Sequence, residues 1–168
     1  MPSRRSEIEM TDEEMRAFLA EQMVMQCATV GPRGLPHMVP LWYVCEATPH
    51  PAQAAEPPAS GLDLLGWTYA KSQKAKNLER DPRATIGIED GVEYHELRGV
   101  MFECDVQIER DAEQVEGYGL RLFERYAGDG LTPEIREMVA AQARKRVGLR
   151  FVPSRVVSWD HRKLGGGD

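Results

Sequence analysis

Several features that would place this chain in familiar classes are missing from its sequence. No apolar stretch approaches the ~18 residues that a membrane-spanning helix needs. The charged start, MPSRRSEIEM, lacks the apolar run of a secretion signal. The three cysteines are odd in number and form no CxxC pair, which favours buried, reduced thiols. We therefore expect a cytoplasmic protein that does not bind a membrane.

Motifs of several common functions are missing as well. The sequence has no GxxxxGK and no GxGxxG at a strand–helix junction, so a P-loop or a Rossmann site is not expected. Its four histidines show no ligand spacing, and HELR at 95–98 is not HExxH, so we predict no metal site. A formal net charge of −6 argues against a small barrel that binds single-stranded nucleic acid.

What the sequence does contain is the pattern of a globular, mainly β protein. Its 168 residues suit a single domain over 1–168. We count about six strands at hairpin spacing and three or four helices, which predicts an α+β fold built on a small antiparallel barrel. Residues 47–61 form a Pro/Ala-rich loop, and residues 111–146 form a helical segment.

Local signals predict individual elements. Residues 24–46 read as one β-hairpin around GPRG, and Pro36 and Pro40 place its second arm at a sheet edge. Residues 94–110 read as one long strand bent at Gly99. The predicted helix N-caps are Thr11 (in a capping box with Glu14), Ser72, Asp111 and Thr132.

A cluster of cations is the least expected feature of this acidic chain. The stretch TYAKSQKAKNLERDPR, residues 68–83, holds five lysines and arginines directly after a predicted strand. A helix capped by Ser72 would present unpaired N–H groups and a positive dipole end to an anion. Thr68, Ser72 and Lys74 could then form a phosphate cradle. The alternative is a solvated amphipathic helix with a basic outer face.

The order of three segments resembles a known superfamily. These are ATVGPRGLPHMVPLWYV, WTYAKSQKAKNLERDPRATIGIEDG and YHELRGVMFECDVQI. Together they resemble the flavin-binding split-barrel proteins, the pyridoxamine 5′-phosphate oxidase-like group, with the flavin/deazaflavin oxidoreductases as the nearest branch. The resemblance implies a six-stranded antiparallel split β-barrel with peripheral helices. It also implies a homodimer with the cofactor at the subunit interface.

The resemblance implies the cofactor-binding residues by position. Ser72 and Lys74, with Gln73 between them, bind the cofactor phosphate, and Trp67 and Thr68 flank the ring and the ribityl chain. The segment along the isoalloxazine comprises His37, Met38, Val39, Pro40 and Leu41. Arg98 and Gly99 belong to a strand that reaches the cofactor of the other subunit.

The implied function is an oxidoreductase that holds FMN, or alternatively the deazaflavin F420, and transfers hydride to or from a small organic substrate. Because the ring carries the hydride, no side chain is predicted to be catalytic. Gln73 and Trp42 replace basic residues of the family's oxidases, so vitamin B6 oxidation is not implied. The basic stretch QARKRVGLR is either a solvated helix end or attracts a deazaflavin's anionic tail. The alternative function is a non-catalytic protein that binds flavin, F420, haem or a tetrapyrrole.

Overall fold

Seven β-strands and five α-helices make up the described part of the chain, residues 4–48, 61–128 and 130–165 of a computed structural model. The strands are β1 Met25–Val30, β2 Pro36–Leu41, β3 Val44–Ala47, β4 Leu62–Tyr69, β5 Arg83–Asp90, β6 Arg98–Glu109 and β7 Arg146–Asp160. The helices are α1 Arg4–Glu7, α2 Asp12–Glu21, α3 Gln73–Arg80, α4 Ala112–Tyr126 and α5 Pro133–Ala143, and Tyr94–Glu96 and His161–Leu164 are 3₁₀ turns.

All seven strands belong to one antiparallel sheet in the order β2-β1-β5-β6-β7-β4-β3. The mainly β, α+β class is therefore confirmed. A six-stranded barrel is not confirmed, because seven strands are described and no ladder between β2 and β3 closes the sheet among them. These two edge strands are nevertheless consecutive in the chain and are separated only by Trp42 and Tyr43.

The prediction of one hairpin over 24–46 is wrong in its second arm. β2 pairs with β1, but β3 pairs with β4 at the opposite edge of the sheet. The break follows from Tyr43, whose buried hydroxyl donates to the carbonyl of Leu19 at 2.7 Å. Arg125 of α4 donates to the Tyr43 carbonyl at 2.7 Å. These contacts anchor the backbone at Tyr43 to two helices, so β2 does not continue into β3.

The long strand predicted over 94–110 begins later than expected. Tyr94–Glu96 is a 3₁₀ turn, and β6 starts at Arg98. The irregularity in its pairing with β7 lies between Glu103 and Cys104, not at Gly99. Gly91, with φ +102°, makes the preceding turn in a region that side chains rarely adopt. Residues 94–97, which were predicted to belong to the strand, therefore belong to the turn that precedes it.

The four predicted helix caps are confirmed. Thr11 Oγ1 accepts from the Glu14 N–H at 3.2 Å, and Glu14 accepts from the Thr11 N–H at 2.7 Å, which completes the capping box. The side chains of Ser72, Asp111 and Thr132 each accept from the backbone N–H three residues later. The position of Pro36 and Pro40 on an edge strand is also confirmed.

The apolar side chains form two layers, one on each face of β4. Leu64 packs inside the curved sheet with residues of α2, β1, β5, β6 and β7. Leu65 and Trp67 pack on the outer face against α4 and α5. Burial of a large apolar side chain contributes about 1.5–3 kcal/mol, so a strand buried on both faces is held firmly. The end of β4 is therefore a rigid platform.

The three cysteines lie in or against the inner core layer. Cys27 and Cys104 are buried and Cys45 is half-buried, and none forms a disulfide. Burial raises the pKa of the Cys27 and Cys104 thiols to about 12, which leaves them protonated and unreactive at neutral pH.

Two further predictions concern the Pro/Ala-rich loop and the absence of a membrane-spanning helix. The Pro/Ala-rich loop predicted over 47–61 falls mostly on residues 49–60, which lie outside the described residues. The Thr48 N–H donates to the Gly61 carbonyl at 3.1 Å, so the β3–β4 ladder extends to both ends of that segment. Among the described helices, none has the length and apolar character needed to cross a membrane.

Candidate functional site

Helix α3 follows β4 in the chain. The chain after β2 approaches β4 at Trp42, whose carbonyl oxygen would lie 3.3 Å from a Cβ built on Gly66 of β4. Before Trp42, β2 pairs with β1 and lies away from β4, whose partner there is β7. α3 packs against both β1 and β4. The start of this helix therefore lies at the end of β4 and close to β1, the partner of β2.

Three polar side chains converge at the start of α3. Ser72 Oγ lies 3.2 Å from Thr68 Oγ1, at the end of β4. Lys74 Nζ donates to the same Thr68 oxygen at 3.2 Å. The Ser72 oxygen also accepts from the Ala75 N–H at 3.2 Å, which caps the helix. The structure thus brings together the three residues of the predicted phosphate cradle.

Lys74 differs from the other cations of its segment. Its side chain is 6% exposed, and no carboxylate of the described residues pairs with it. Burial lowers the pKa of Lys74, and the positive charge of Arg146 lowers it further, partly opposed by Cys27. Lys71 and Lys76 are exposed. A solvated basic face therefore describes those two lysines but not Lys74, whose uncompensated charge is costly to bury.

A hydrogen-bonded network ties α3 to β2. Gln73 Nε2 donates to Asn77 Oδ1 at 2.8 Å, and Asn77 Nδ2 donates to Thr29 Oγ1 at 3.0 Å. Thr29 in turn donates to the His37 carbonyl at 3.4 Å. Asn77 is fully buried, and the buried Nδ1 of His37 has no hydrogen-bond partner among the described residues. The network fixes the position of His37 relative to the helix and leaves one of its nitrogens available.

The predicted ring-binding segment alternates along β2. His37, Val39 and Leu41 are half-buried, whereas Met38 and Pro40 are exposed. This alternation is that of an edge strand with one face on the sheet. Pro40 and Leu41 also line a cavity of about 330 Å³ that includes Trp67. The segment therefore extends from the network at His37 to this cavity at Leu41.

Trp67 and Thr68 point to opposite faces of β4, so the structure separates two residues that were predicted to act together. Thr68 belongs to the cradle. Trp67 lies on the outer face with Phe123, at a centroid distance of 6.3 Å. It also covers Gly119 of α4, where a Cβ would lie 2.7 Å from Trp67 Cη2. Only Thr68 therefore reaches the start of α3.

Arg98 and Gly99 lie at the far end of the sheet. Arg98 is opposite Asp160 in the β6–β7 ladder, whereas Thr68 is opposite Val147 at the other end of β7. Arg98 forms ion pairs with Glu21 and Asp90, both at 2.8 Å. Within one chain these residues are thus remote from the cradle, and their contribution to the site of a second subunit stays a prediction.

Comparison with known proteins gives the family. The model of the pyridoxamine 5′-phosphate oxidase family matches residues 11–160. The chain belongs to the pyridoxamine 5′-phosphate oxidase family. The resemblance to flavin-binding split-barrel proteins is thereby confirmed. No curated protein matches the chain.

Solved structures of similar fold include proteins with different ligands. The conserved hypothetical protein Rv2991 of Mycobacterium tuberculosis is 38% identical with a TM-score of 0.81, over 99% of this chain and 95% of that one. An F420 reductase is 21% identical with a TM-score of 0.57, over 84% and 94% of the chains. The haem storage protein HutZ of Vibrio cholerae is 20% identical with a TM-score of 0.61, over 87% and 93%. The latter two show a shared fold only.

Two residues of this region were not predicted from the sequence. Asn77 carries a weak signal, because an amide at a helical position that faces the core needs polar partners. Arg146 was included only in the basic stretch QARKRVGLR, and no local pattern places it beside Tyr69, because that position depends on the pairing of β7 with β4. The described residues hold no group of three or more His, Cys, Asp or Glu side chains that could bind a metal ion.

Proposed function

We propose that the protein is a homodimeric oxidoreductase that holds FMN or F420 with the cofactor phosphate on Thr68, Ser72 and Lys74. It transfers hydride to or from a small organic substrate. The observation that carries this proposal is the buried amino group of Lys74, which has no carboxylate partner among the described residues and lies 3.2 Å from the Thr68 hydroxyl.

The residues present fit a phosphate ester. Lys74 uses one of its three N–H donors on Thr68, so two remain for an anion. The Thr68 and Ser72 hydroxyls bond to each other, which leaves one O–H donor of the pair for an anion, and the start of α3 adds unpaired backbone N–H groups and a positive dipole end. A dianionic phosphate would offset the cost of the buried ammonium group. FMN and F420 both carry a ribityl phosphate, so the cradle suits either.

The remaining predicted residues position the cofactor. The network from Gln73 through Asn77 and Thr29 holds the segment His37–Leu41 at a set distance from the cradle. That segment then lies along the ring. A bound flavin or deazaflavin supplies a ring that accepts or gives a hydride, so the protein needs to supply only position, electrostatics and access. Arg98 and Gly99 complete the site from the other subunit.

Equilibrium dialysis with FMN and with F420 tests the cradle. We expect Lys74→Met to weaken binding of the preferred cofactor about 10- to 100-fold, the usual contribution of a charge-assisted hydrogen bond. Lys76→Met removes the same charge from an exposed position of the same helix, and we expect a change within about twofold. Equal losses of affinity in both variants would mean that general positive charge, and not a specific contact of Lys74, binds the cofactor. No binding of either cofactor by the wild type would refute the proposal.

Turnover and assembly need separate measurements. Anaerobic spectra of the loaded protein report reduction and reoxidation of the cofactor, and binding without any redox reaction would favour a carrier protein. A Soret band after addition of haem, with no binding of FMN or F420, would favour the haem-binding alternative. Sedimentation equilibrium of the loaded protein tests the homodimer, since a monomer could not use Arg98 from a second subunit.

A further inference from the structure

A second site lies on the outer face of β4, between the sheet and helices α4 and α5. It is a cavity of about 330 Å³, a size within the range of small-molecule sites. Its walls include three aromatic rings, a thioether, an amide and a guanidinium group. These belong to Trp42, Trp67, Phe123, Met138, Gln142 and Arg146.

Arg146 is held in place but its charge is not balanced. Its guanidinium lies 4.6 Å from the ring centroid of Trp67 and 4.1 Å from that of Tyr69. Its Nε donates to Gln142 Oε1 at 3.3 Å. No carboxylate pairs with it in the described part of the chain. The planar N–H fork of an oriented arginine suits a carboxylate, which it can bind through two parallel hydrogen bonds.

The aromatic walls are also fixed before any ligand arrives. Trp42 stacks on Tyr126 at 4.4 Å with an interplanar angle of 12°. Phe123 stands nearly perpendicular to both tryptophans, at 72° to Trp42 and 78° to Trp67. Trp42 remains 45% exposed and Met138 40% exposed, although both side chains are apolar. Flat aromatic surfaces with open area bind planar, conjugated molecules by stacking.

The cavity is separate from the cradle but close to it. Thr68 faces the inside of the sheet with Lys74, whereas Trp67 faces outward, and Arg146 lies opposite Tyr69 on the same outer side. The two sites are connected by Leu41 of β2, which lines the cavity at the end of the segment assigned to the cofactor ring. A molecule in the cavity would therefore be next to that ring without occupying the phosphate site.

We infer that this cavity binds the substrate, a planar conjugated organic acid whose carboxylate is held by Arg146 and whose flat body stacks between the aromatic walls. The role as substrate site rests on the proposed function, whereas the binding of a planar acid does not. The inference identifies the substrate class by two properties, a negative charge at one end and conjugation along the rest.

Isothermal titration calorimetry with 2-naphthoate and its neutral isostere 2-naphthamide tests the charge requirement. We expect 2-naphthoate to bind the wild type at least about tenfold more tightly than 2-naphthamide, because only the acid pairs with Arg146. Arg146→Met should remove this preference and leave 2-naphthamide binding within about twofold. Arg144→Met, which removes an exposed charge outside the cavity, should keep the preference. Absence of any preference in the wild type would overturn the inference.

A second variant tests the aromatic walls and guards against misfolding of the first. Trp42 is partly exposed, so Trp42→Leu should fold, and it should weaken both ligands about equally by loss of a stacking surface. Unchanged binding in that variant would contradict the inference. Thermal melting of each variant, compared with the wild type, establishes that the folded protein is being titrated.

The same titration separates this inference from the proposed function. In Lys74→Met we expect 2-naphthoate affinity to stay within about twofold, while cofactor affinity falls. In wild-type protein saturated with FMN or F420, 2-naphthoate should still bind, which supports a substrate site beside the ring. Loss of 2-naphthoate binding on cofactor saturation would show that the cavity holds the cofactor ring and would overturn the substrate assignment. Failure of both cofactors to bind would refute the proposed function and leave the planar-acid site intact.

Discussion

Replacement of Lys74 by methionine should stabilise the cofactor-free protein, in contrast to its effect on cofactor binding. Methionine is unbranched like lysine and one atom shorter, so it fills most of the same space without a charge. The ammonium group of Lys74 is buried, and its described polar contact is the hydrogen bond to Thr68. Under the proposed function, this cation serves the binding of a ligand and not stability.

The magnitude follows from two opposing terms. An unpaired buried charge costs several kcal/mol in proteins after relaxation. Removing the charge therefore stabilises the variant by this amount. Loss of the charge-assisted hydrogen bond to Thr68 destabilises it by about 1.5–3 kcal/mol. Thr68 keeps its contact with Ser72 at 3.2 Å, so no buried hydroxyl is left without a partner. We expect a net stabilisation of about 1–2 kcal/mol, or about 3–6 °C in melting temperature for a chain of this size.

Urea unfolding of both proteins, without cofactor and at several pH values, measures this difference. The folded-state pKa of Lys74 is lowered below the usual lysine value of 10.5, mainly by burial. Between the two values the unfolded chain binds the extra proton, so wild-type stability rises with pH in that interval. The advantage of the variant should therefore be full at pH 7 and should shrink as the pH approaches 10.5.

Lys76→Met is the matched control, because Lys76 is exposed and its replacement should change stability by no more than about 0.5 kcal/mol. If Lys74→Met instead destabilised the cofactor-free protein by about 1 kcal/mol or more, Lys74 would be a structural residue. The reasoning that links its burial to a phosphate would then be refuted.

Two further substitutions test how the site is supported. Arg125→Met should cost about 3 kcal/mol in urea unfolding, because Arg125 donates to the Tyr43 carbonyl and to carbonyls at the end of α2; a loss under about 1 kcal/mol would contradict that role. Gly119→Ala should cost about 1–3 kcal/mol, since its Cβ would fall 2.7 Å from Trp67 Cη2. Gly117→Ala in the same helix meets nothing within 4 Å and should stabilise by up to about 1 kcal/mol; equal effects of the two alanines would rule out the clash.

The features that could be predicted from the sequence are those determined by neighbouring residues. The cap at Ser72 follows from a serine placed directly before helical residues, and its closeness to Thr68 follows because a short turn joins strand to helix. The edge position of β2 follows from Pro36 and Pro40, which cannot donate to a ladder. Short-range chemistry was therefore enough to identify the cradle and to place α3.

The features that could not be predicted depend on residues far apart in the chain. The break after β2 results from Tyr43 and Arg125, which are 82 positions apart. The orientation of Arg146 depends on the alignment of β7 with β4, which no local pattern encodes. The sequence of QARKRVGLR therefore leaves open a solvated helix end or a site that attracts an anionic tail, and it does not indicate that Arg146 lies beside Trp67. The contacts of these side chains in the folded protein could therefore not be predicted from the sequence.

The two-residue link between β2 and β3 has a consequence for affinity. The chain after β2 meets β4 at Trp42, and α3 packs against β4 and against β1, the partner of β2. Tyr43, the next residue, is fastened by Arg125 and Tyr126 of α4. The orientation of β2 relative to β4 therefore depends on α4, a helix that contributes no atom to the cradle. If the cradle binds a phosphate as proposed, substitutions on α4 that shift Tyr43 should change the affinity for that phosphate without altering a cradle residue.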